Sequence, residues 1–195
     1  MMAQQAAELA GLCSHYKDTY DIHQSTIKQR DTLFYGLLMI LSLFSIRSSS
    51  TGIVTAFVSA YLGKVASIEV GDSLAQLLLW FALVGWSIKY FQAVVHIERQ
   101  YTYLHALEND LNKFYPGTSA FTREGAAYLQ GYPLFLKWMT FVYRVIVPLA
   151  IVVVAANEII GERKVHNQNF VVDGICFVII VLSVALYLLH IHKGR

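Results

Sequence analysis

Two long runs of apolar, nearly uncharged residues constrain this chain more than any other feature. Between Ser73 and Val95 the one charged residue is Lys89, and between Phe170 and Ile191 it is Asp173. A helix needs about 20 predominantly apolar residues to cross a bilayer, and both runs reach that length. The chain is 56% hydrophobic and 14% charged, whereas soluble domains are about 25% charged. The pattern therefore predicts an all-α, polytopic membrane protein rather than a buried helix of a soluble domain.

Two further apolar segments bring the prediction to about four transmembrane helices. The first span begins near Thr32, with its apolar run over residues 33–46, and the third lies within residues 134–160. Residues 51–63 are also apolar but too short to cross. We expect them to lie at the interface or to re-enter the membrane; the alternative is that they continue the first span after a distortion.

Polar helices with one apolar face are predicted on both sides of the first two spans. Apolar and aromatic residues recur every three to four positions in residues 4–30 and again in residues 96–114, the spacing of one helix face. Neither segment is separated from its span by a breaker. Because both lie on the same side of the membrane, we expect their apolar faces to pack together as an antiparallel stalk.

These assignments divide the chain into four regions. They are a cytoplasmic amphipathic helix at 1–30, a first transmembrane hairpin at 31–95 with an interfacial segment near 51–63, a cytoplasmic helical extension and loop at 96–133, and a second transmembrane hairpin at 134–195. A short helix after Thr122 is predicted in the loop, and a polar turn at 161–169 in the second hairpin.

The distribution of basic residues predicts which side of the membrane the ends occupy. With both termini inside, 11 of the 15 Lys and Arg residues lie inside and 4 outside. The inside residues are Lys17, Lys28, Arg30, Lys89, Arg99, Lys113, Arg123, Lys137, Arg144, Lys193 and Arg195, and the outside residues are Arg47, Lys64, Arg163 and Lys164. The positive-inside rule therefore favours a multi-pass protein of the plasma (inner) membrane with both termini cytoplasmic.

Arg99 and His105 are the candidate catalytic residues. Their R-x5-H spacing is similar to the motif of HEPN ribonucleases, and that resemblance implies that Arg and His would meet across a dimer to cleave RNA. A pair of surface residues on the stalk is the simpler interpretation. No glycine-rich loop, cofactor motif or convincing metal-ligand set is present, so we expect no cofactor, no metal and no enzyme activity. A net charge of +2 gives no reason to expect a nucleic-acid partner.

The charged residues of the spans are predicted to lie near the ends of the helices. Glu158 and Asp173 are placed at the outer ends of spans three and four, and Lys89 and Arg144 near the inner ends of spans two and three. The absence of a charge at mid-bilayer argues against a proton-coupled pump and leaves a pore, a receptor or a structural anchor.

The layout of residues 4–114, a cytoplasmic helix, a hairpin of two spans and a long returning helix, resembles the SLATT group of bacterial membrane effectors. The chain is also similar in size and span number to the four-span membrane proteins that accompany Cas13b. The first resemblance implies an oligomer that breaches the membrane during antiviral defence. It transfers no functional residue.

The sequence therefore predicts a non-enzymatic membrane effector or accessory that forms a homo-oligomeric pore or perturbs the bilayer. Gly52, Ala56 and Ala60 lie four residues apart, a spacing that permits close helix contacts between subunits. The alternative is a regulatory or scaffolding subunit that binds a cytoplasmic protein through the stalk. The second alternative is the membrane-anchored HEPN-like ribonuclease.

The predicted topology is tested with reporter fusions. A reporter active only in the cytoplasm should be active when fused to Arg195 and inactive when fused after Lys64, because the charge distribution places these sites on opposite sides. Activity after Lys64 without activity at Arg195 would contradict the topology.

Overall fold

The computed structural model describes residues 2–62, 71–115, 134–165 and 169–193, and these residues are helical almost throughout. The helices are α1 (Met2–Ser49), α2 (Thr51–Leu62), α3 (Asp72–Asn112), α4 (Leu134–Phe141), α5 (Val147–Val165) and α6 (Phe170–Lys193), and a π-helical segment, Val142–Ile146, joins α4 to α5. No strand occurs in the described residues. The predicted all-α fold is confirmed.

The chain forms two compact units. The first comprises the described residues within 1–32 and 92–138, and the second comprises the described residues within 33–91 and 139–195. Both α1 and α3 are continuous helices that contribute to each unit, as predicted from the lack of a breaker between their polar and apolar parts.

Residues 2–32 of α1 and 92–112 of α3, called the helix pair below, pack against each other in the first unit. His15 Nε2 and Tyr103 Oη lie 2.7 Å apart, and His23 Nδ1 lies 3.2 Å from Gln100 Oε1. As the residue number rises in α1 it falls in α3, so the two helices are antiparallel. The predicted packing of the polar extension on the N-terminal helix is confirmed.

The apolar face of the extension supplies the buried side of the helix pair. Leu104, Leu107 and Leu111 are buried, at the spacing that marks one side of a helix. The helix was predicted to run through Phe114, but it ends at Asn112. The amide of Phe114 donates to the Leu111 carbonyl at 3.1 Å, so the last turn tightens to bonds between residues three apart.

Aromatic contacts fill the interior of the second unit. Phe44 meets Trp80 edge-on with ring centroids 5.4 Å apart, and Phe91 stacks on Tyr187 at 4.6 Å. Buried aliphatic side chains from each long helix surround them: Leu37, Ile40, Leu79, Leu83, Ile151, Ile180 and Val184. The interior of this unit is filled by side chains, as in other helix bundles.

The π-helical segment is an adjustment to Pro148, which has no amide hydrogen. The amide of Val147 donates to the Val142 carbonyl, five residues back. The next bond of this register would run from residue 148 to the Tyr143 carbonyl, and proline cannot make it. The hydroxyl of Tyr90 donates to that carbonyl instead, at 3.1 Å. An apolar environment requires such replacement because water is not there to satisfy a freed backbone group.

Three short segments between the long helices were predicted, and the structure agrees with only some of these predictions. α2 is a separate helix of 12 residues, about 18 Å long, so it is too short to cross; whether it lies at an interface stays a prediction. The polar turn predicted at 161–169 is wrong over its first half, because α5 continues to Val165. The predicted short helix after Thr122 lies outside the described residues.

Replacing Tyr90 with Phe should lower the free energy of unfolding by about 1–2 kcal/mol, because the hydrogen bond from the Tyr90 hydroxyl to the Tyr143 carbonyl is lost. The loss should shrink in a Pro148→Ala background, where residue 148 regains an amide hydrogen. Chemical unfolding in detergent measures both. Tyr35→Phe, at a side chain that is 67% exposed, is the control and should change little. A loss that is equal with and without the Pro148→Ala change would contradict this account.

Candidate functional site

The two candidate catalytic residues lie on α3 within the helix pair. Arg99 is exposed and His105 is half-buried. Residues six apart on an α-helix are about 120° apart around its axis, so the two side chains do not share a face. Among the described residues, no hydrogen bond or ion pair joins them. Assembly of an R-x5-H site from two chains stays a prediction.

A different set of residues comes together in the second unit. It consists of Arg47 from α1, Gln76 and Trp80 from α3, Glu158 and Glu162 from α5, and Asp173 from α6, and it is called the charged cluster below. Each of the four long helices contributes. The cluster is therefore the place where charged and polar groups of all four helices meet.

Helix ends determine where the charged cluster forms. Arg47 lies in the last turn of α1, and Asp173 lies in the first turn of α6. These are the ends at which a helix dipole favours a cation and an anion, respectively. Two helix C-termini, of α1 and α5, and two N-termini, of α3 and α6, meet here. Their dipoles therefore largely cancel, and the side-chain charges dominate the local field.

The Arg47 guanidinium is the cation of the charged cluster. It lies 3.2 Å from Glu158 Oε2 and 4.0 Å from Glu162 Oε1, and the side chain is 13% exposed. A second nitrogen of the guanidinium donates to Gln76 Oε1. One arginine thus holds two α5 side chains, four residues apart on the same helix face, and one α3 side chain.

The Gln76 amide connects the helices of the charged cluster. While its oxygen accepts from Arg47, its nitrogen donates to Glu162 Oε1 and, at 2.5 Å, to Asp173 Oδ2. The indole of Trp80 adds a donor to Glu162 at 3.3 Å. Because both carboxyl groups accept from one nitrogen, Glu162 and Asp173 must lie side by side.

Burial of the carboxyl groups makes the charged cluster costly in free energy unless each group has a partner. Glu158, Glu162 and Asp173 are 9%, 5% and 0% exposed. Charged groups withdrawn from water are stabilised only by partners of opposite charge or by hydrogen bonds. In the described part of the chain, Glu162 Oε2 and Asp173 Oδ1 are enclosed and have no hydrogen-bond partner. The cluster therefore keeps two acceptor oxygens free.

Three members of the charged cluster, Arg47, Glu158 and Asp173, were named from the sequence but were not brought together. Asp173 lies in the first turn of α6, as predicted, whereas α5 continues to Val165, about two turns beyond Glu158. Arg47 was placed among the outside basic residues. Gln76 had no distinguishing pattern, and Glu162 fell in the region predicted as a turn. The i,i+4 spacing of Glu158 and Glu162 was the one available signal, and it required the helix to extend past residue 160.

Within the described residues, no group of three or more His, Cys, Asp or Glu side chains is arranged to hold a metal ion.

Four helices in the described residues are long and apolar enough to cross a membrane: Ala3–Ser48, Asp72–Asn112, Lys137–Glu162 and Phe170–His192. In α6 the mean hydropathy of the best window is 2.6 although only 22% of it is buried, so its apolar side chains largely face outward, as they do toward lipid. The chain is an all-α, multi-pass membrane protein. Comparison with protein-family models, curated proteins and solved structures finds no match to it.

Replacing Arg47 with Ala should destabilise the protein by about 3 kcal/mol or more, because it leaves buried carboxylates without their cation. The matched control is Lys113→Ala, since Lys113 pairs with Asp110 on the surface, with side chains 77% and 55% exposed. Such a pair contributes about 0–1 kcal/mol. Equal unfolding midpoints for the two variants in detergent would contradict the assignment of Arg47.

Proposed function

We propose that this protein is a non-enzymatic membrane effector or accessory that acts as an oligomer, forming a pore or perturbing the bilayer. The observation that carries the proposal is that four helices of the described residues are long and apolar enough to cross a membrane and enclose charged side chains at one end. Charged side chains in membrane helices are costly and, where they occur, commonly line ion pathways or pair inside the bundle. Here they converge from four apolar helices, at one end of those helices, and leave acceptor oxygens free.

An oligomer is needed because one chain has no room for a path. The interior of the second unit is filled by Phe44, Trp80 and the aliphatic side chains around them. Several chains around a common axis could enclose water, and cyclic symmetry is expected for such an assembly. On α2 the small residues Gly52, Ala56 and Ala60 are all exposed, so they are available for close helix contacts between chains.

The proposed membrane orientation and the proposed biological role both rest on the sequence. The excess of Lys and Arg on one side favours an inner-membrane protein with cytoplasmic termini. The similarity of the layout to SLATT effectors supports a role in bacterial antiviral defence. In that setting the oligomer would breach the membrane when triggered.

A second candidate function rests on the helix pair. The charged side chains Lys17, Asp18, Asp21 and Lys28 of α1 lie on its outer side, while the apolar face of the α3 extension is buried against α1. A stable helix pair with a charged outer surface suits a scaffolding or regulatory subunit that binds a soluble cytoplasmic protein and never conducts. Electrostatic complementarity would then set the partner.

Reconstitution distinguishes the two candidates. Purified protein in liposomes should release a small trapped dye or carry current, and its mass in nanodiscs should be a multiple of the 22.0 kDa chain. Gly52→Leu should reduce release, because a Cβ at this position meets nothing within 4 Å beyond its own helix backbone and chain neighbours but would hinder a neighbouring chain. Ile53→Leu, at an adjacent exposed position, is the control.

A strictly monomeric particle in detergent and in nanodiscs would defeat the pore and leave the scaffold. Arg99→Ala and His105→Ala should both behave like the parent in dye release and in toxicity on expression. Loss of toxicity in both, with the protein still in the membrane, would instead favour the ribonuclease.

A further inference from the structure

The carboxyl groups of the second unit gather at one end of its helices. Glu158, Glu162 and Asp173 belong to the charged cluster, and Asp72 lies one turn before Gln76 at the start of α3. No other carboxyl side chain occurs in the described part of this unit. Among the described residues, the opposite end of the unit therefore has no acidic side chain.

Two basic side chains lie at that opposite end, on different helical segments. Lys89 is exposed on α3, and Arg144 is half-buried in the π-helical segment. Each is the sequence neighbour of a residue in one contact, the 3.1 Å hydrogen bond from the Tyr90 hydroxyl to the Tyr143 carbonyl. Lys89 and Arg144 thus lie at nearly the same level, roughly 20 Å along their helices from the charged cluster. That is about two Debye lengths at physiological salt, so the cluster does not neutralise them.

α6 adds imidazole groups at the same end. Phe91 stacks on Tyr187 with ring centroids 4.6 Å apart, which brings α6 to the level of Lys89. His190 and His192 follow within about two turns, and both are exposed. An imidazole offers a hydrogen-bond donor whether it is neutral or protonated. The basic end, as this surface is called below, consists of Lys89, Arg144, His190 and His192.

We propose that the basic end binds the headgroups of anionic phospholipids. The chain is a multi-pass membrane protein, so side chains near the ends of its long helices lie close to lipid headgroups. Lys and Arg side chains in this position extend toward the headgroups, and basic groups between transmembrane helices bind anionic ones. The phosphodiester supplies the negative charge that no carboxyl group of this end provides in the described residues.

Aromatic side chains beside the basic end favour a lipid over a small dissolved anion. Trp86 is 43% exposed one turn before Lys89, and Tyr35 is 67% exposed on α1. Tyr35 follows Phe34, whose ring meets that of Tyr143 at 4.9 Å, so it lies at the same level. Tyr and Trp are enriched where acyl chains meet headgroups, because their rings are amphipathic. A dissolved phosphate ion would gain nothing from them.

This lipid contact goes beyond the proposed pore, and it does not require conduction. A scaffolding subunit could use the same contact to hold its helices at one depth in the membrane. Absence of dye release would therefore leave the lipid proposal standing, and absence of a lipid preference would leave the pore open to its own test.

Native mass spectrometry of the purified protein measures which lipids it retains. From an equimolar mixture of phosphatidylglycerol and phosphatidylcholine, the unmodified chain should retain the anionic lipid about tenfold more, because two cations lie near its headgroup. The preference should shrink as salt is added, since exposed charges are screened. Lys89→Gln should weaken the preference, and Lys89→Gln together with Arg144→Gln should remove it.

The matched control is Lys17→Gln together with Lys113→Gln, which removes the same charge from exposed positions of the helix pair. Lys113 lies roughly 35 Å along α3 from Lys89, beyond the reach of a screened charge, so the control should keep the preference.

Equal retention of the two lipids by the unmodified chain would overturn the proposal, whether or not the variants fold. A preference that survives both substitutions at the basic end would overturn it as well, and so would an equal loss in the control. Because Lys89 is exposed, an undiminished preference in Lys89→Gln alone decides against the proposal if the double variant does not fold. Displacement of the lipid by inorganic phosphate at equal concentration would show a small-anion site instead and would also overturn it.

Discussion

The Gln76 side chain is the group on which the arrangement of the second unit depends. It is 1% exposed and uses its carbonyl oxygen toward a cation and its amide nitrogen toward two carboxyl groups. An amide suits this position because it offers an acceptor and two donors on one rigid plane. A buried carboxylate or amine there could satisfy one class of neighbour and would repel the other. The packing of apolar surfaces brings the helices together, and Gln76 fixes which of their ends meet.

The requirement that a buried polar atom be satisfied by another protein group also shapes the backbone between α4 and α5. Pro148 removes a donor, the helix shifts locally into a π register, and Tyr90 supplies the missing hydrogen to the Tyr143 carbonyl. In water such a carbonyl would find its own partner. In an apolar surrounding each polar atom must be satisfied by protein, so a single proline in one helix fixes the identity of a residue in another.

More of the fold than of the charged cluster could be predicted from the sequence. Hydropathy runs located the four long apolar helices, since length and lack of charge are local properties that need no knowledge of packing. The periodicity of Leu104, Leu107 and Leu111 was enough to predict the helix pair. Gln76 could not be singled out, because a glutamine in a membrane helix has no pattern of its own. Its role arises when Glu162 and Asp173, 86 and 97 positions away along the chain, are brought against it by tertiary contacts.

The central claim, that Gln76 and Asp173 depend on each other inside the bundle, is tested most directly by a double-mutant cycle. Gln76→Met and Asp173→Leu would be made singly and together, and the free energy of unfolding measured for each in the same detergent. Each single change strands a buried polar partner, whereas the double change removes both. The account predicts that the double variant is less destabilised than the sum of the single variants, by about 1–3 kcal/mol. Additivity within about 0.5 kcal/mol would contradict it.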